Sequence, residues 1–224
     1  MKRLLFQIKY VASRIQNYSH HSPNFQGYLT DKHFEQCVLK FGSFKGSKNW
    51  QNLKKKASVL IPVCLHNDEI CLLYTQRTKQ LRRHSGQISF PGGMKDENET
   101  AEETAIRETE EEIGIPSSSI KVYGCGSPVV RLDLLITPVV GYVGPVVPSE
   151  LLINHKEVEH AFALPMKEFC DLNNCRYTNF ENKYILPVFK INGYRIWGIT
   201  AYITHLFLRS FLENEYKFEL KSKT

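Results

Sequence analysis

The sequence predicts a mixed α/β (α+β) sandwich, and three observations lead there. Two β-rich runs, SVLIPVCL and ICLLYTQR, follow each other across His66-Asn67-Asp68-Glu69, which reads as a hairpin. A second hairpin, ILPVFKINGYRIWG, carries Asn192-Gly193 as its turn. Between them, residues 100–113 have the composition and boundaries of a helix, so strands and helices alternate and must pack in layers.

Taken in order, residues 1–30 contain Lys2, Arg3, Lys9 and Arg14 and no acid. Leu4, Leu5, Ile8, Val11, Ala12 and Ile15 recur at helical spacing opposite those cations. This is the composition of a mitochondrial transit peptide, with an ordinary surface helix as the competing reading. Residues 31–57 predict a short helix from Asp31 to Leu39, then a basic linker with Gly, Ser and Lys. The domain proper is expected over residues 58–215 and a tail over 216–224. Within the domain, GQISF is a strand that runs into a Pro91-Gly92-Gly93 turn. The helix after it is closed by Gly114 and Pro116. Strands follow near residues 120–123 and 134–143, and EVEHAFALPMKEF reads as a strand entering a helix at Pro165. A last helix is expected from Ile199 to Glu213.

Composition narrows the function classes. A chain of 224 residues with 42% hydrophobic content buries the core of one ordinary domain. The longest apolar stretch, ITAYITHLFL, is too short to span a bilayer. Six scattered cysteines without a C-x-x-C pair argue against zinc and against a disulfide framework. The formal charge is +6, but without the four cations of the first thirty residues it falls to +2. The excess therefore suits targeting better than nucleic acid, and no basic stripe with interleaved aromatics is present. The run KNWQNLKKK reads as a solvated linker, with a phosphate-binding patch as the sharper alternative.

Against that background, one stretch stands out. Nine of the 23 acidic residues lie between Gly93 and Ile115, opposed only by Lys95 and Arg107. Glu108, Glu111 and Glu112 fall at i, i+3 and i+4, on one stripe roughly 100° wide. Ile106, Thr109 and Ile113 lie round the helix, where they can pack. Like charges on one stripe cost stability unless a cation cancels them. Hard oxygen ligands so grouped suit Mg²⁺ or Mn²⁺, so these three glutamates are the candidate metal ligands.

The segment resembles the Nudix box, G-x5-E-x7-R-E-x-x-E-E-x-G followed by an apolar residue. It matches at Gly93, Glu99, Arg107, Glu108, Glu111, Glu112, Gly114 and Ile115, with Thr109 at a position where the family prefers an aliphatic side chain. The resemblance implies a Nudix α/β/α sandwich with a mixed sheet, and metal-dependent cleavage of a nucleoside diphosphate linked to a further group. Glu108, Glu111 and Glu112 would hold the metal, and Glu111 is the first candidate for general base. Glu157 or Glu159, from a later segment, is the alternative. Arg107 would orient a glutamate and Glu99 would hold the loop.

Upstream, LLYTQRTKQLRRHSGQISFPGG resembles the signature of the coenzyme A pyrophosphatase subfamily at Thr75, Arg77, Arg82, Gly86, Phe90, Pro91, Gly92 and Gly93; Tyr74 and Thr78 depart from it. RIWGITAYITH resembles its animal mitochondrial branch. These resemblances span about residues 58–212. They imply coenzyme A or acyl-CoA as substrate, 3′,5′-ADP and (acyl-)4′-phosphopantetheine as products, and Arg77, Arg82, Gly86, Gln87, Phe90, Gly92 and Gly93 as the substrate-binding set. Competing readings are another Nudix substrate (NADH, ADP-ribose, an RNA cap) and a non-catalytic nucleotide-binding module. The expected location is the mitochondrial matrix, with peroxisome or cytoplasm as alternatives. Monomer and homodimer stay open.

Overall fold

The computed structural model describes residues 26–44, 53–78, 86–180 and 184–220. Arg82, Arg83 and His84 lie outside these residues, as does most of the expected targeting segment. A 3-10 turn, Gln26–Leu29, leads into helix α1, Asp31–Gly42. Its N-cap is Thr30, whose hydroxyl accepts from the His33 N–H. Strands β1 (Lys55–His66) and β2 (Glu69–Arg77) form the first expected hairpin, with Asn67 and Asp68 both at positive φ. Short strands β3 (Ile88–Ser89) and β4 (Gly92–Met94) precede helix α2 (Ala101–Ile113). Then come β5 (Lys121–Cys125), β6 (Val129–Arg131), β7 (Leu134–Pro145), β8 (Val158–Pro165) and helix α3 (Met166–Cys170). The chain finishes with β9 (Cys175–Phe180), β10 (Tyr184–Ile191), β11 (Tyr194–Ile196) and helix α4 (Gly198–Phe211).

The main sheet runs β3-β2-β1-β7-β5, with β4 on β1, β6 on β7 and β8 on β2. The pairing is antiparallel throughout except between β1 and β7, which run parallel, so the sheet is mixed as expected. Alternate residues of β1 and β2 enter opposite cores. Ile61, Val63, Leu72 and Tyr74 join Phe34, Phe41, Phe207 and Phe211 of α1 and α4. Leu60, Cys64, Cys71 and Leu73 join Ala105 and Ile113 of α2. Helices thus cover both faces, which explains why β1 and β2 read as nearly continuous apolar runs. A separate sheet, β11-β10-β9, lies against the α4 side, where Tyr194 stacks on Phe162 at 3.7 Å.

Several boundaries differ from expectation. The Pro91-Gly92-Gly93 turn continues as a strand, because β4 pairs with β1 through Gly92↔Val59 and Gly93↔Ser58. β6 and β9 carry too little apolar alternation to be read from sequence. The sheet begins at Lys55 rather than at residue 58. Tyr28 packs on His33 and Phe211 with ring centroids 4.6 and 5.9 Å away, so the fold reaches into residues 1–30. At the other end, buried Tyr216 donates to or accepts from His205 Nδ1 at 2.8 Å, so the fold also extends into 216–224. Among the described residues, no helix is long and apolar enough to cross a membrane.

His205 gives a pH test of this C-terminal packing. Burial, reinforced by the Arg209 charge, pushes its imidazole down from 6.5 to about 4. Tyr216 and Phe218 cover it from the tail. As pH falls from about 6.5 to 4, the unfolded chain takes up a proton that the folded chain refuses. Stability is therefore complete above this window and declines through it, by about 3 kcal/mol at most. In urea unfolding, wild type should lose about this much more than His205→Gln between neutral pH and pH 4. Parallel losses in the two proteins would show that His205 is not titrating with unfolding.

Candidate active site

The site is assembled from α2, the β4 strand beneath it and the segment entering β8. α2 starts at a capping box: Thr100 accepts from the Glu103 N–H, and the Glu103 carboxylate accepts from the Thr100 N–H. It ends at Gly114 with φ 68°, the left-handed cap that glycine adopts without strain. Thr104, Ala105, Thr109 and Ile113 are buried against the sheet. The Thr109 hydroxyl donates to the Ala105 carbonyl at 2.6 Å, which satisfies the polar group at that packing position.

That anchoring fixes the glutamates at three depths. Glu112 is inward, with 3% of its side chain exposed; Glu108 is mostly buried, and Glu111 stands out at 56%. β4 runs directly under them. A Cβ placed on Gly93 would lie 2.4 Å from the Glu108 carboxyl, so only glycine lets that carboxylate rest on the backbone. Gly92, at φ 153°, is equally constrained from below, since a Cβ there would meet the Ser58 carbonyl at 2.3 Å.

Arg107 ties the loop to the helix. Its Nε and Nη2 donate to the two oxygens of Glu99 at 2.6 and 3.1 Å, a bidentate pair. Nη1 donates to Glu108 at 2.9 Å and to Glu111 at 3.1 Å, and Nη2 reaches the Met94 carbonyl at 3.3 Å. The guanidinium, with help from the Thr104 hydroxyl, holds the Glu99 carboxyl down at about 2. Arg107 thus contacts three carboxylates of the loop and helix, and Glu99 accepts from both Arg107 and Thr104.

Glu112 is compensated far less. The Gly92 N–H donates to its carboxylate, and Arg77 Nη1 stands 3.9 Å from Oε1. Oε2 is buried with no partner. Burial, with the negative fields of Glu108 and Glu157 added, outweighs Arg77 and pushes this carboxyl up to about 8. Glu108 is also raised, chiefly by burial, with Glu111 and Glu157 contributing. The Glu157 charge acts on both ligand candidates and its residue is partly buried, whereas Glu159 is exposed on β8. The backbone explains the placement: the Asn154 N–H donates to the Glu112 carbonyl at 2.9 Å, and the Thr78 N–H donates to the Glu157 carbonyl at 2.9 Å. These bonds pin the loop between α2 and the end of β2.

The upstream set divides. Arg77 belongs to the site, but as the counter-charge of Glu112, a long-range relation with no sequence signal. Gly86, at φ 68°, donates its N–H to the Arg77 carbonyl, and the Arg77 N–H donates to the Gln87 carbonyl. Phe90 is buried and stacks on Tyr74 at 4.7 Å, so its side chain packs rather than faces a ligand.

Whether these residues suit a divalent cation is decided by Glu112. Among the described residues, no three His, Cys, Asp or Glu side chains converge tightly enough to enclose an ion by themselves. Glu108 and Glu111 are drawn towards Arg107 while Glu112 lies towards Arg77, which reduces their mutual repulsion. A buried carboxylate oxygen without a donor, beside two further carboxylates, nevertheless requires either a proton or a cation. All-oxygen donors suit Mg²⁺ or Mn²⁺, and the set fits.

Comparison with known proteins places the site in context. Residues 54–187 match the NUDIX domain. The chain is 38% identical over 175 residues to human mitochondrial coenzyme A diphosphatase NUDT8, covering 75% of this chain and 74% of that protein. It is 34% identical over 212 residues to Nudix hydrolase 3 of Caenorhabditis elegans, covering 83% and 88%. Among solved structures, a MutT protein from Methanosarcina mazei is similar at 19% identity and a TM-score of 0.46, covering 72% of this chain and 97% of that one.

Replacing Glu112 by Gln removes a buried carboxyl that, without a cation, must take up a proton to stay folded at neutral pH. The metal-free protein should gain about 1–3 kcal/mol of stability while turnover falls by orders of magnitude. Added Mg²⁺ or Mn²⁺ should raise the melting temperature of wild type and leave that of the variant nearly unchanged. A variant that melts lower than wild type without metal would refute the buried-charge account.

Proposed function

The chain belongs to the Nudix family and is a pyrophosphohydrolase; from this we propose that it cleaves the diphosphate of coenzyme A or acyl-CoA. The products would be 3′,5′-ADP and (acyl-)4′-phosphopantetheine. One observation carries the hydrolytic reading: the buried, underpaired Glu112 carboxylate above the Gly92-Gly93 strand, with Glu108 and Glu157 beside it. The substrate reading is supported by similarity to human and mouse mitochondrial coenzyme A diphosphatases, 38% and 39% identical. The Arg77-to-Gly93 motif supports it as well.

On this reading Glu108 and Glu112 would hold Mg²⁺ or Mn²⁺, with Glu111 as the third candidate ligand. The bound ion supplies neutralisation of diphosphate charge and acidification of water. Everything else is done by the protein. Arg107 and Glu99 fix the height of the loop over α2. Arg77 limits the repulsion at Glu112 and offers its remaining donors to phosphate oxygens. Gly92 and Gly93 keep the floor bare of side chains so that carboxylates and phosphates approach the backbone.

Two carboxylates compete to take the proton from the attacking water. Glu111 is accessible but engaged by Arg107, whereas Glu157 makes no ion pair with that guanidinium and its charge is felt at both Glu108 and Glu112. We assign Glu157 as the leading general base and retain Glu111 as the alternative. Arg82 and Gln87 complete the substrate set as proposals from the motif.

The test offers the purified full-length protein coenzyme A, 3′-dephospho-coenzyme A, NADH and ADP-ribose with Mg²⁺ or Mn²⁺, and identifies products by mass. Coenzyme A should be preferred by at least about tenfold in kcat/KM, a difference worth ~1.4 kcal/mol in the transition state. Preference for NADH or ADP-ribose would keep the hydrolase and discard the substrate. We also place the protein in mitochondria, by likeness to its relatives and by its basic N-terminus. Because Tyr28 packs on the core, any processing should leave a mature chain that still contains residues 26–30. N-terminal sequencing of protein recovered from mitochondria checks this, and a start beyond Tyr28 would contradict it.

A further inference from the structure

The basic run singled out in the sequence has no part in hydrolysis, yet the fold gives it a partner surface. Lys54, Lys55 and Lys56 are all exposed where β1 begins. The parallel register sets Lys55 against Leu134, and the antiparallel register sets Arg131 against the same residue. The two-residue β6–β7 turn, Leu132-Asp133, therefore projects from the middle of these cations. Leu132 is 87% exposed, the most exposed of the large apolar side chains described. It also sits at φ 56°, where glycine, asparagine or aspartate is the low-strain choice. An apolar side chain is thus held in water at a strained position with cations on either side.

The patch continues along β4. Met94, paired with Ala57, is 51% exposed, and the Lys95 N–H donates to the Lys56 carbonyl. Two acids are present. Asp133 is taken up by Lys55 Nζ at 2.5 Å, and Asp96 lies beyond Lys95, whose Nζ donates to the Asp96 carbonyl at 3.3 Å. Lys54, Lys56 and Arg131 remain in excess.

We propose that this end of the molecule docks on an anionic lipid surface, with Leu132 entering the headgroup–acyl boundary and the lysines and Arg131 facing lipid phosphates. The combination of aliphatic tip and cationic flank carries the choice of partner. Single-stranded nucleic acid would share the cations, but its bases stack on aromatic rings rather than on an aliphatic tip. Because the Met94 carbonyl also accepts from Arg107, the docked face borders the catalytic loop.

The experiment is co-sedimentation of the full-length protein with vesicles of phosphatidylcholine alone or mixed with phosphatidylserine, at low and high salt. Binding should require phosphatidylserine and weaken with salt. The double variant K54E/K56E should lower the partition coefficient by at least about tenfold. Leu132→Gly is the decisive variant, because it relieves the turn: its melting temperature should equal or exceed that of wild type while vesicle binding drops several-fold. Hydrolysis of a soluble substrate should be unchanged in both. Residues 1–25 carry their own cations and are identical in every variant, so vesicle binding that survives these substitutions overturns the proposal. Retention on an RNA oligonucleotide in place of vesicles overturns it as well.

Discussion

Burying a carboxylate without a full set of donors is expensive, and much of this site is arranged around that one constraint at Glu112. Its helix is capped at both ends and buried along one side, so the residue cannot swing out to water. Under it, β4 offers an N–H from Gly92 and no side chain from Gly93, which lets Glu108 share the same floor. A fold selected for stability alone would place an apolar residue at this depth. Keeping a carboxyl there supports the cation site proposed above, and on that reading its cost in the metal-free state is the preorganisation of the site.

The two arginines divide the remaining electrostatic work by position. Arg107 is accessible enough to serve Glu99, Glu108 and Glu111 together, and its contact with the Met94 carbonyl makes it a strut between loop and helix. Arg77 comes from the end of β2 and meets Glu112 only loosely, at 3.9 Å. The difference is informative. A tight Arg77–Glu112 pair would satisfy the buried carboxylate, whereas a loose one leaves it open to the cation proposed above and leaves Arg77 donors for the proposed phosphate.

How far this was legible in the sequence depends on the range of each interaction. The carboxylate stripe, the helix ends, the two hairpin turns and the glycine floor are local patterns, and their spacing carries them. Glu157 could be narrowed only to a choice with Glu159. What separates them is the hydrogen bond of Asn154 to the end of α2, across some forty residues of chain. For Phe90, a motif position does not distinguish a side chain that touches ligand from one that holds the motif in place. Its stack on Tyr74 is a packing fact of the opposite sheet face. β4 was read as a turn because glycines signal irregular backbone, yet here they permit close pairing with β1.

Charge balance links the two ends of the function. Glu108, Glu111, Glu112 and Glu157 together face one shared guanidinium and one loose one, so the site is net negative and repels a bare diphosphate. On the proposed reading a divalent ion would reduce that deficit, and a diphosphate arriving with it would meet the remaining donors of Arg77, so each would strengthen the binding of the other. Selectivity for a particular nucleotide must then come from outside this core, since any diphosphate satisfies it.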